Sequence, residues 1–313
     1  MSRSTISAYA FFKRFPNESA ARGHMELRRW NGRPVCPYCE TADRIQLRYL
    51  EGYYRCLTCK SDFTVRTGTI MERSHVPLNK WLYAMYLLTT SRKGVSSLQL
   101  AKEIGMTQKT AWFLLHRLRE ACGKGNGNDQ SGFLAGIIEA DETYVGGKEG
   151  NKHAHKKIHA GRGAVGKIAV LGMRERGGRV KGKVIKNTGA EEIQTEVAKS
   201  VAPGSILCTD EHGAYRGMGQ YPQFVVNHSV KEFVNGMAHT NGIESVWAVL
   251  KRGFYGVYHS FSGKHLQRYV DEFTFRLNEG NVKIHMLDRI DSLLGKSIGT
   301  RITYKQLASS SRE

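Results

Sequence analysis

Apolar side chains recur at helical spacing between His239 and Arg252, and this stretch predicts an amphipathic helix. The residues of its apolar face are Ile243, Val246, Trp247 and Leu250. Thr240 precedes them as an N-cap, whose hydroxyl is expected to accept a free backbone N–H. The polar residues within an arc of about 80° beside the apolar face are Asn241, Glu244 and Lys251. One edge of the helix therefore presents an amide, a carboxylate and an ammonium.

Two apolar, strand-like runs elsewhere in the chain each lead into an aspartate. Residues 137–140 lead into Asp141, and residues 205–209 lead into Asp210. Carboxylates at strand ends and on a facing helix can converge, so we expect both aspartates to lie near Glu244. Converging carboxylates repel one another unless cations lie between them, and oxygen ligands suit Mg²⁺ or Mn²⁺ better than Zn²⁺. The alternative is that the polar side of the helix is only a solvated face.

The surrounding pattern alternates between strands and helices. Further strands are expected near residues 133–145, 167–173, 180–185 and 224–226, and further helices near 190–201, 263–278 and 284–294. This alternation predicts a mixed α/β unit. A glycine- and asparagine-rich stretch, residues 123–129, is the best candidate for a domain boundary before it.

Two helical patterns separated by a glycine turn occupy residues 96–118. This spacing predicts a helix-turn-helix, in which the first turns of the second helix face the major groove of DNA. The residues that would contact DNA are Thr107, Gln108, Lys109 and His116. An ordinary helical hairpin with a polar face is the alternative.

Four of the six cysteines form two CxxC pairs separated by sixteen residues: Cys36, Cys39, Cys56 and Cys59. Such pairs place four thiolates on two tight turns and predict a structural zinc ribbon. A disulfide framework would need an oxidising compartment, and a catalytic zinc would keep one ligand position open. The isolated Cys122 and Cys208 are expected to be small buried hydrophobes.

The chain of 313 residues is strongly basic, with 47 Lys plus Arg against 28 Asp plus Glu, a net charge of +19 and a pI near 9.7. This balance favours a polyanionic partner such as nucleic acid, with an anionic membrane surface as the competing explanation. Lys156 and Lys157, in a polar loop between residues 148 and 167, are expected to contact DNA phosphates. No apolar run reaches the ~18 to 20 residues that span a bilayer, and the N-terminus lacks a signal sequence, so a cytoplasmic protein without a membrane partner is expected.

Together with the zinc ribbon and the helix-turn-helix, three strings make the chain resemble the zinc-ribbon insertion-sequence transposases of bacteria. They are DETYVGGK at 141–148, TDEHGAY at 209–215 and HTNGIE at 239–244. The resemblance covers the whole chain and implies an α/β, ribonuclease H-like catalytic domain of the DDE type, with a mixed sheet flanked by helices. It assigns the two aspartates to Asp141 and Asp210 and the trailing lysine to Lys251. For the third position we favour Glu244, because of the Glu-x6-Lys spacing and the stronger affinity of a carboxylate for a hard cation, with Asn241 as the reserve.

The implied enzyme binds terminal inverted repeats, cleaves a DNA strand with two Mg²⁺ or Mn²⁺ ions and joins the freed 3′-hydroxyl to target DNA. Its partners would be double-stranded DNA, contacted also by Arg252, and further copies of itself in a synaptic complex on the bacterial nucleoid. A DNA-binding regulator derived from a transposase and no longer catalytic, and a nuclease that cuts without joining, are the alternatives. The expected domains are an N-terminal region with the ribbon (1–65), the helix-turn-helix region (66–124), the catalytic domain (130–296) and a tail (297–313).

Overall fold

The computed structural model describes residues 5–124, 132–147, 153–157, 164–226, 239–260, 262–279 and 283–309. Within these ranges the helices are α1 (Ala8–Arg14), α2 (Glu18–Trp30), α3 (Leu78–Thr90), α4 (Ser97–Ile104), α5 (Gln108–Gly123), α6 (Ala190–Ser200), α7 (Asn241–Gly253), α8 (Leu266–Asn278), α9 (Met286–Ser297) and α10 (Tyr304–Ala308). The strands are β1 (Ile45–Leu47), β2 (Tyr53–Cys56), β3 (Asp62–Thr64), β4 (Ile137–Val145), β5 (Ile168–Glu175), β6 (Val180–Ile185), β7 (Ile206–Thr209) and β8 (Gln223–Val225).

The chain divides into two compact units, and the division differs from the expected domain boundaries. Unit 1 comprises residues 1–91, 95–124 and 279–313, and unit 2 comprises residues 92–94 and 125–278. Helix α9 was expected to close the catalytic domain, but it packs on α2, α3 and α5 of unit 1. The expected tail also contains a short helix, α10, which starts with a capping box at Thr303. Residues 125–129 of the expected hinge lie outside the described residues.

The zinc-ribbon part of unit 1 is a small antiparallel sheet in the order β1-β2-β3, as far as the chain is described. Helix α2 precedes it and begins where the Asn17 side chain accepts a 2.9 Å hydrogen bond from the N–H of Ala20. At the other end of α2, the Trp30 ring packs edge-on against Tyr54 and Phe63, with centroids 5.4 and 5.8 Å away. An aromatic contact therefore joins the helix to the ribbon.

The predicted helix-turn-helix is confirmed in α4 and α5. Gly105, at φ 59°, ends α4 in the left-handed conformation that glycine adopts easily. Thr107 then caps α5, since its hydroxyl accepts the N–H of Thr110 at 3.2 Å. The inward side chains of the two helices are Leu100, Ile104, Ala111, Leu114, Leu115 and Leu118, all buried.

Unit 2 contains a mixed sheet in the order β6-β5-β4-β7-β8 within the described residues. Strands β5 and β6 are antiparallel to their neighbours, whereas β4, β7 and β8 run parallel to one another. Helix α6 packs on one face, in a core with Ile138 and Leu171, and helices α7 and α8 pack on the other, in a core with Val145 and Val170. This sheet, covered by helices on both faces, confirms the expected α/β fold with a mixed sheet flanked by helices. Among the described helices, none is long and apolar enough to cross a membrane.

Candidate active site and zinc centre

The sheet of unit 2 brings Asp141 and Asp210 to neighbouring positions. Glu139 of β4 pairs with Cys208 of the parallel strand β7, and each aspartate lies two residues beyond that pair. Adjacent strands lie about 4.8 Å apart, so the two backbones carry their carboxylates side by side at the end of the β4–β7 ladder. The hydrophobic runs that precede both aspartates are the strands that position them.

The carboxyl of Asp141 has its pKa raised to about 6. Burial is the largest cause, followed by the negative charge of Asp210, and Glu244 adds a smaller repulsion. Two hydrogen bonds act in the opposite direction: the Trp247 indole donates to Oδ2 at 2.9 Å, and the backbone N–H of Glu142 donates to Oδ1 at 2.8 Å. The site is thus a partly buried group of like charges, which is favourable for a cation.

Helix α7 supplies the third set of candidate groups. Glu244 is exposed in its first turn, and its Oε1 accepts a 3.2 Å hydrogen bond from the hydroxyl of Thr240. The hydroxyl of Thr240 was expected to accept a backbone N–H of the helix, which is wrong. The N–H of Ile243 instead binds the carboxylate of Glu139, at 2.9 Å, so that Thr240 is left to orient Glu244. Asn241, Lys251 and Arg252 are exposed on the same helix.

Three charged residues that sequence reasoning missed hold the start of α7. Glu139 is 1 % exposed and accepts from Arg176 Nε at 3.2 Å, besides binding Ile243. Arg176 also donates to the carbonyl of His239 at 3.2 Å, and Arg174 donates to the carbonyl of Gly242 at 2.6 Å. A Cβ on Gly242 would lie 2.4 Å from Glu139 Oε2. The sequence feature that could have indicated this role is Glu139 itself, an acidic residue inside the apolar run that leads to Asp141.

A second contact fixes the turn that follows Asp210. The hydroxyl of Tyr215 donates to the carboxylate of Glu142, and Tyr215 is buried. Burial is the main cause of the raised pKa of the Glu142 carboxyl and of the Tyr215 hydroxyl. Gln223 of β8 donates to the carbonyl of Tyr215 at 2.6 Å. Because Glu142 follows Asp141 in β4, this contact joins the loop of one aspartate to the strand of the other.

The expected gathering of three carboxylates at ligand distance is not present in the described part of the chain. There, the four cysteines are the one group of three or more Asp, Glu, His or Cys residues whose ligand atoms all lie within 4.8 Å of one another. Asp141 and Asp210 follow paired residues of adjacent strands. The negative charge of Glu244 contributes to the raised pKa of Asp141. The donor chemistry fits a hard divalent cation, because three oxygen ligands repel one another and the repulsion is relieved by positive charge.

The four cysteines form the cluster expected of a structural zinc centre. The Sγ atoms of Cys36 and Cys59 are 3.6 Å apart, as are those of Cys39 and Cys56. Four sulfurs around a tetrahedral Zn²⁺, each about 2.3 Å from the ion, lie about 3.8 Å apart. Hydrogen bonds from Ser61 lower the pKa of the Cys59 thiol to about 6, which favours the thiolate that binds zinc.

The residues predicted to contact DNA differ in exposure. Thr107, Gln108 and Lys109 are exposed at the start of α5, and Gln108 donates to the Ser97 hydroxyl at 2.9 Å. The prediction that His116 contacts DNA is wrong, because its side chain is completely buried. The helical period at that position turns it inward. Lys157 is partly exposed, whereas the side chain of Lys156 lies outside the described residues.

Comparisons with known families match both parts of the chain. Residues 133–278 match the ISXO2-like transposase domain, and residues 16–62 match the transposase zinc-ribbon domain. The chain thus combines a transposase zinc-ribbon domain with an ISXO2-like transposase domain. This confirms the family indicated by the three sequence strings and the CxxC pairs.

Two individual proteins illustrate the similarity of this transposase to others. An uncharacterized protein in the transposable element ISH50 of Halobacterium salinarum is 28% identical over 278 residues, which are 84% of this chain and 92% of that protein. A chain in a crystal structure of a pre-cleavage Mos1 transpososome is 10% identical, with 69% of this chain and 77% of that chain covered and a TM-score of 0.27.

Proposed function

We propose that the chain is a DNA transposase that binds the terminal inverted repeats of an insertion sequence and catalyses metal-dependent strand cleavage and strand transfer. One observation carries the proposal: Asp141 and Asp210 each lie two residues beyond the Glu139–Cys208 pair of two adjacent parallel strands, where the charge of Asp210 helps to raise the pKa of Asp141 to about 6. Carboxylates that repel one another in a partly buried place are costly unless a cation joins them. The match to the transposase domain spans both aspartates.

Asp141, Asp210 and Glu244 would hold two Mg²⁺ or Mn²⁺ ions. Bound there, such a pair supplies an activated nucleophile, charge relief at the scissile phosphate and a stabilised leaving oxygen. Glu244 is preferred to Asn241 for the third position, because its negative charge already acts on Asp141 and because a carboxylate binds a hard cation better than an amide does. Asn241 remains the reserve.

The reaction would proceed in two displacements at phosphorus. In the first, water attacks the phosphodiester at the transposon end, and the bond to the 3′-oxygen breaks, freeing a 3′-hydroxyl. In the second, that hydroxyl attacks a target phosphodiester and expels the 3′-oxygen of the target strand. Lys251, exposed on α7 seven residues after Glu244, would bind a DNA phosphate as a point charge during both steps.

DNA recognition is assigned to the first unit, with additional phosphate contacts from the second. Thr107, Gln108 and Lys109 would face the major groove. The basic residues proposed to contact phosphates are Lys156, Lys157 and Arg252. The net charge of +19 supports a polyanionic partner of this kind. The partners are accordingly double-stranded DNA at the transposon ends and the target, with homo-oligomers joining two ends, and the protein would act on the bacterial nucleoid in the cytoplasm.

A strand-transfer assay with Mg²⁺ and duplexes that carry the element's own ends tests the proposal. The wild-type chain should cut at the end and join the cut strand to target DNA. Asp141→Asn should abolish both steps while end binding stays nearly intact. Glu191→Gln, a change at an exposed position of α6, should leave both cleavage and strand transfer unchanged. End binding without cutting would identify a regulator, and cutting without joining would identify a nuclease.

A further inference from the structure

The buried face of α7 carries one polar group that points at the candidate active site. Trp247 is 6 % exposed, and its indole Nε1 donates a 2.9 Å hydrogen bond to Oδ2 of Asp141. A buried indole N–H needs an acceptor. Here that acceptor is the carboxylate in the centre of the proposed site.

The neighbouring strand is shaped to receive this indole. Gly172 of β5 is the residue paired with Asp141 across the antiparallel ladder. A Cβ at Gly172 would lie 2.4 Å from Cζ2 of Trp247 and 2.8 Å from Cδ1 of Ile243. Any larger residue would force the indole away from the sheet, so the glycine and the tryptophan form one complementary contact beside Asp141.

The hydrogen bonds to Asp141 leave a specific set of lone pairs available. An ionised carboxylate offers about four lone-pair positions, two on each oxygen. Oδ2 accepts from Trp247 and Oδ1 accepts from the backbone N–H of Glu142, so within the described residues each oxygen uses one position. One position on each oxygen is then left for other ligands. Asp141 would therefore still have lone pairs with which to bind divalent cations.

We propose that Trp247 is a positioning residue that holds the Asp141 carboxylate in the orientation in which it would bind the divalent cations of the proposed site. The inference rests on the proposed function. Trp247 acts through Asp141 and contacts neither DNA nor the reacting atoms. Hydrogen-bond partners behind metal ligands typically change metal affinity 10–100-fold, and we expect about tenfold here.

Trp247→Phe tests this role, because it removes the N–H and keeps an aromatic ring in the core. Its Mn²⁺ affinity, measured from the electron paramagnetic resonance of free Mn²⁺ on the full zinc-loaded chain, should fall about tenfold. The Mn²⁺ concentration for half-maximal cleavage should rise by a similar factor, while the rate at saturating Mn²⁺ stays near that of the wild type. Leu250→Val removes buried volume from the same apolar face and should leave Mn²⁺ affinity unchanged.

Gly172→Ala provides an independent test, because it should displace the indole while leaving Trp247 in the sequence. We expect the same loss of Mn²⁺ affinity. If Asp141→Asn loses Mn²⁺ binding but Trp247→Phe and Gly172→Ala both bind Mn²⁺ as the wild type does, Trp247 is only a packing residue and the inference is overturned. If Asp141→Asn binds Mn²⁺ normally, the proposed function itself fails.

A measurement on the wild-type chain avoids any folding defect of the variants. Adding Mg²⁺ should shift the indole ¹⁵N–¹H resonance of Trp247, since its acceptor becomes a metal ligand. The indole signals of the other tryptophans, Trp30, Trp81 and Trp112, should stay in place. A Trp247 signal that does not respond to Mg²⁺ bound by an Asp141-dependent site would also overturn the inference.

Discussion

Glu139, in the central strand β4, accepts a 2.9 Å hydrogen bond from the backbone N–H of Ile243 in the first turn of α7. The first N–H groups of a helix lack partners within the helix, and a negative charge is favourable there. The same carboxylate accepts from Arg176 at 3.2 Å, so it is both buried and paired. The Glu139 side chain thus attaches the helix that carries Glu244 to the strand that carries Asp141. The distance between these two candidate metal ligands therefore depends on Glu139.

Removing this carboxylate should destabilise unit 2. Glu139→Ala removes the acceptor of the Ile243 N–H and the carboxylate that accepts from Arg176 Nε, which should lower the free energy of unfolding by about 2–4 kcal/mol. Urea denaturation measures the loss. Glu196→Ala is the matched control, because it removes a partly exposed pair with Lys199 on α6 and should cost no more than about 1 kcal/mol. Equal losses in the two variants would show that Glu139 does not anchor the helix.

The zinc centre makes a separate prediction for unit 1. The chain should contain one zinc ion, and Cys56→Ser should lose it together with binding to the transposon end, because the ribbon folds around its metal. Elemental analysis and a DNA-binding titration measure the two properties. Cys122→Ala should keep both, since Cys122 lies outside the cluster. Zinc retained at full occupancy after Cys56→Ser would contradict the four-cysteine assignment.

The parts of the fold that the sequence predicted are those encoded by local periodicity. The apolar runs before Asp141 and Asp210 are β4 and β7, and the amphipathic pattern after Thr240 is α7. Because β4 and β7 are parallel neighbours, both aspartates lie at the same end of the ladder between these two strands. The CxxC pairs were equally informative, because their spacing alone nearly determines the geometry of a ribbon.

What could not be predicted depends on contacts between residues distant in sequence. Nothing local in the chain indicates that Trp247 would bind Asp141 or that Gly172 would make room for it. For the same reason α9 was assigned to the wrong unit: an amphipathic helix shows that it packs against something, but its pattern does not identify the partner. His116 failed because its position on α5 faces the core.

The repulsion around Asp141 predicts how stability depends on pH when Mg²⁺ is absent. Its pKa is about 6 in the folded chain against 3.8 as the ordinary value, so the ionised form destabilises the fold above pH 6. As the pH falls below 6, the folded state takes up a proton and the unfolded state does not, so this group makes the free energy of unfolding rise. A shift of this size corresponds to at most about 3 kcal/mol.

Asp141→Asn removes the charge and keeps an oxygen acceptor for Trp247. Without Mg²⁺ and with zinc retained, the variant should therefore be more stable than the wild type at pH 7.5, and at pH 5 the difference should fall to about half, since it disappears only as the pH approaches the unfolded pKa of 3.8. Urea denaturation at both pH values measures the difference, and adding Mg²⁺ should stabilise the wild type alone. A variant less stable than the wild type at pH 7.5 would show that the carboxylate is not under repulsion.

Lys109 tests the proposed DNA interface of unit 1. Its ammonium lies 4.9 Å from the centre of the Tyr304 ring, which packs edge-on against Phe113 and so orients the lysine at the start of α5. Lys109→Ala should weaken binding to the transposon end. If Lys109 contacts a phosphate, the salt dependence of binding should also fall by about one unit of slope. Lys199→Ala, an exposed change on α6, should alter neither quantity.

Tyr304→Ala separates the position of the lysine from its charge. The ammonium remains, but the ring that orients it is gone, so end affinity should fall by less than in Lys109→Ala while the salt slope stays close to the wild-type value. Titration of a labelled end duplex at several salt concentrations measures both. Full end affinity in Lys109→Ala would remove the start of α5 from the DNA interface, and it would leave recognition of the ends to the zinc ribbon.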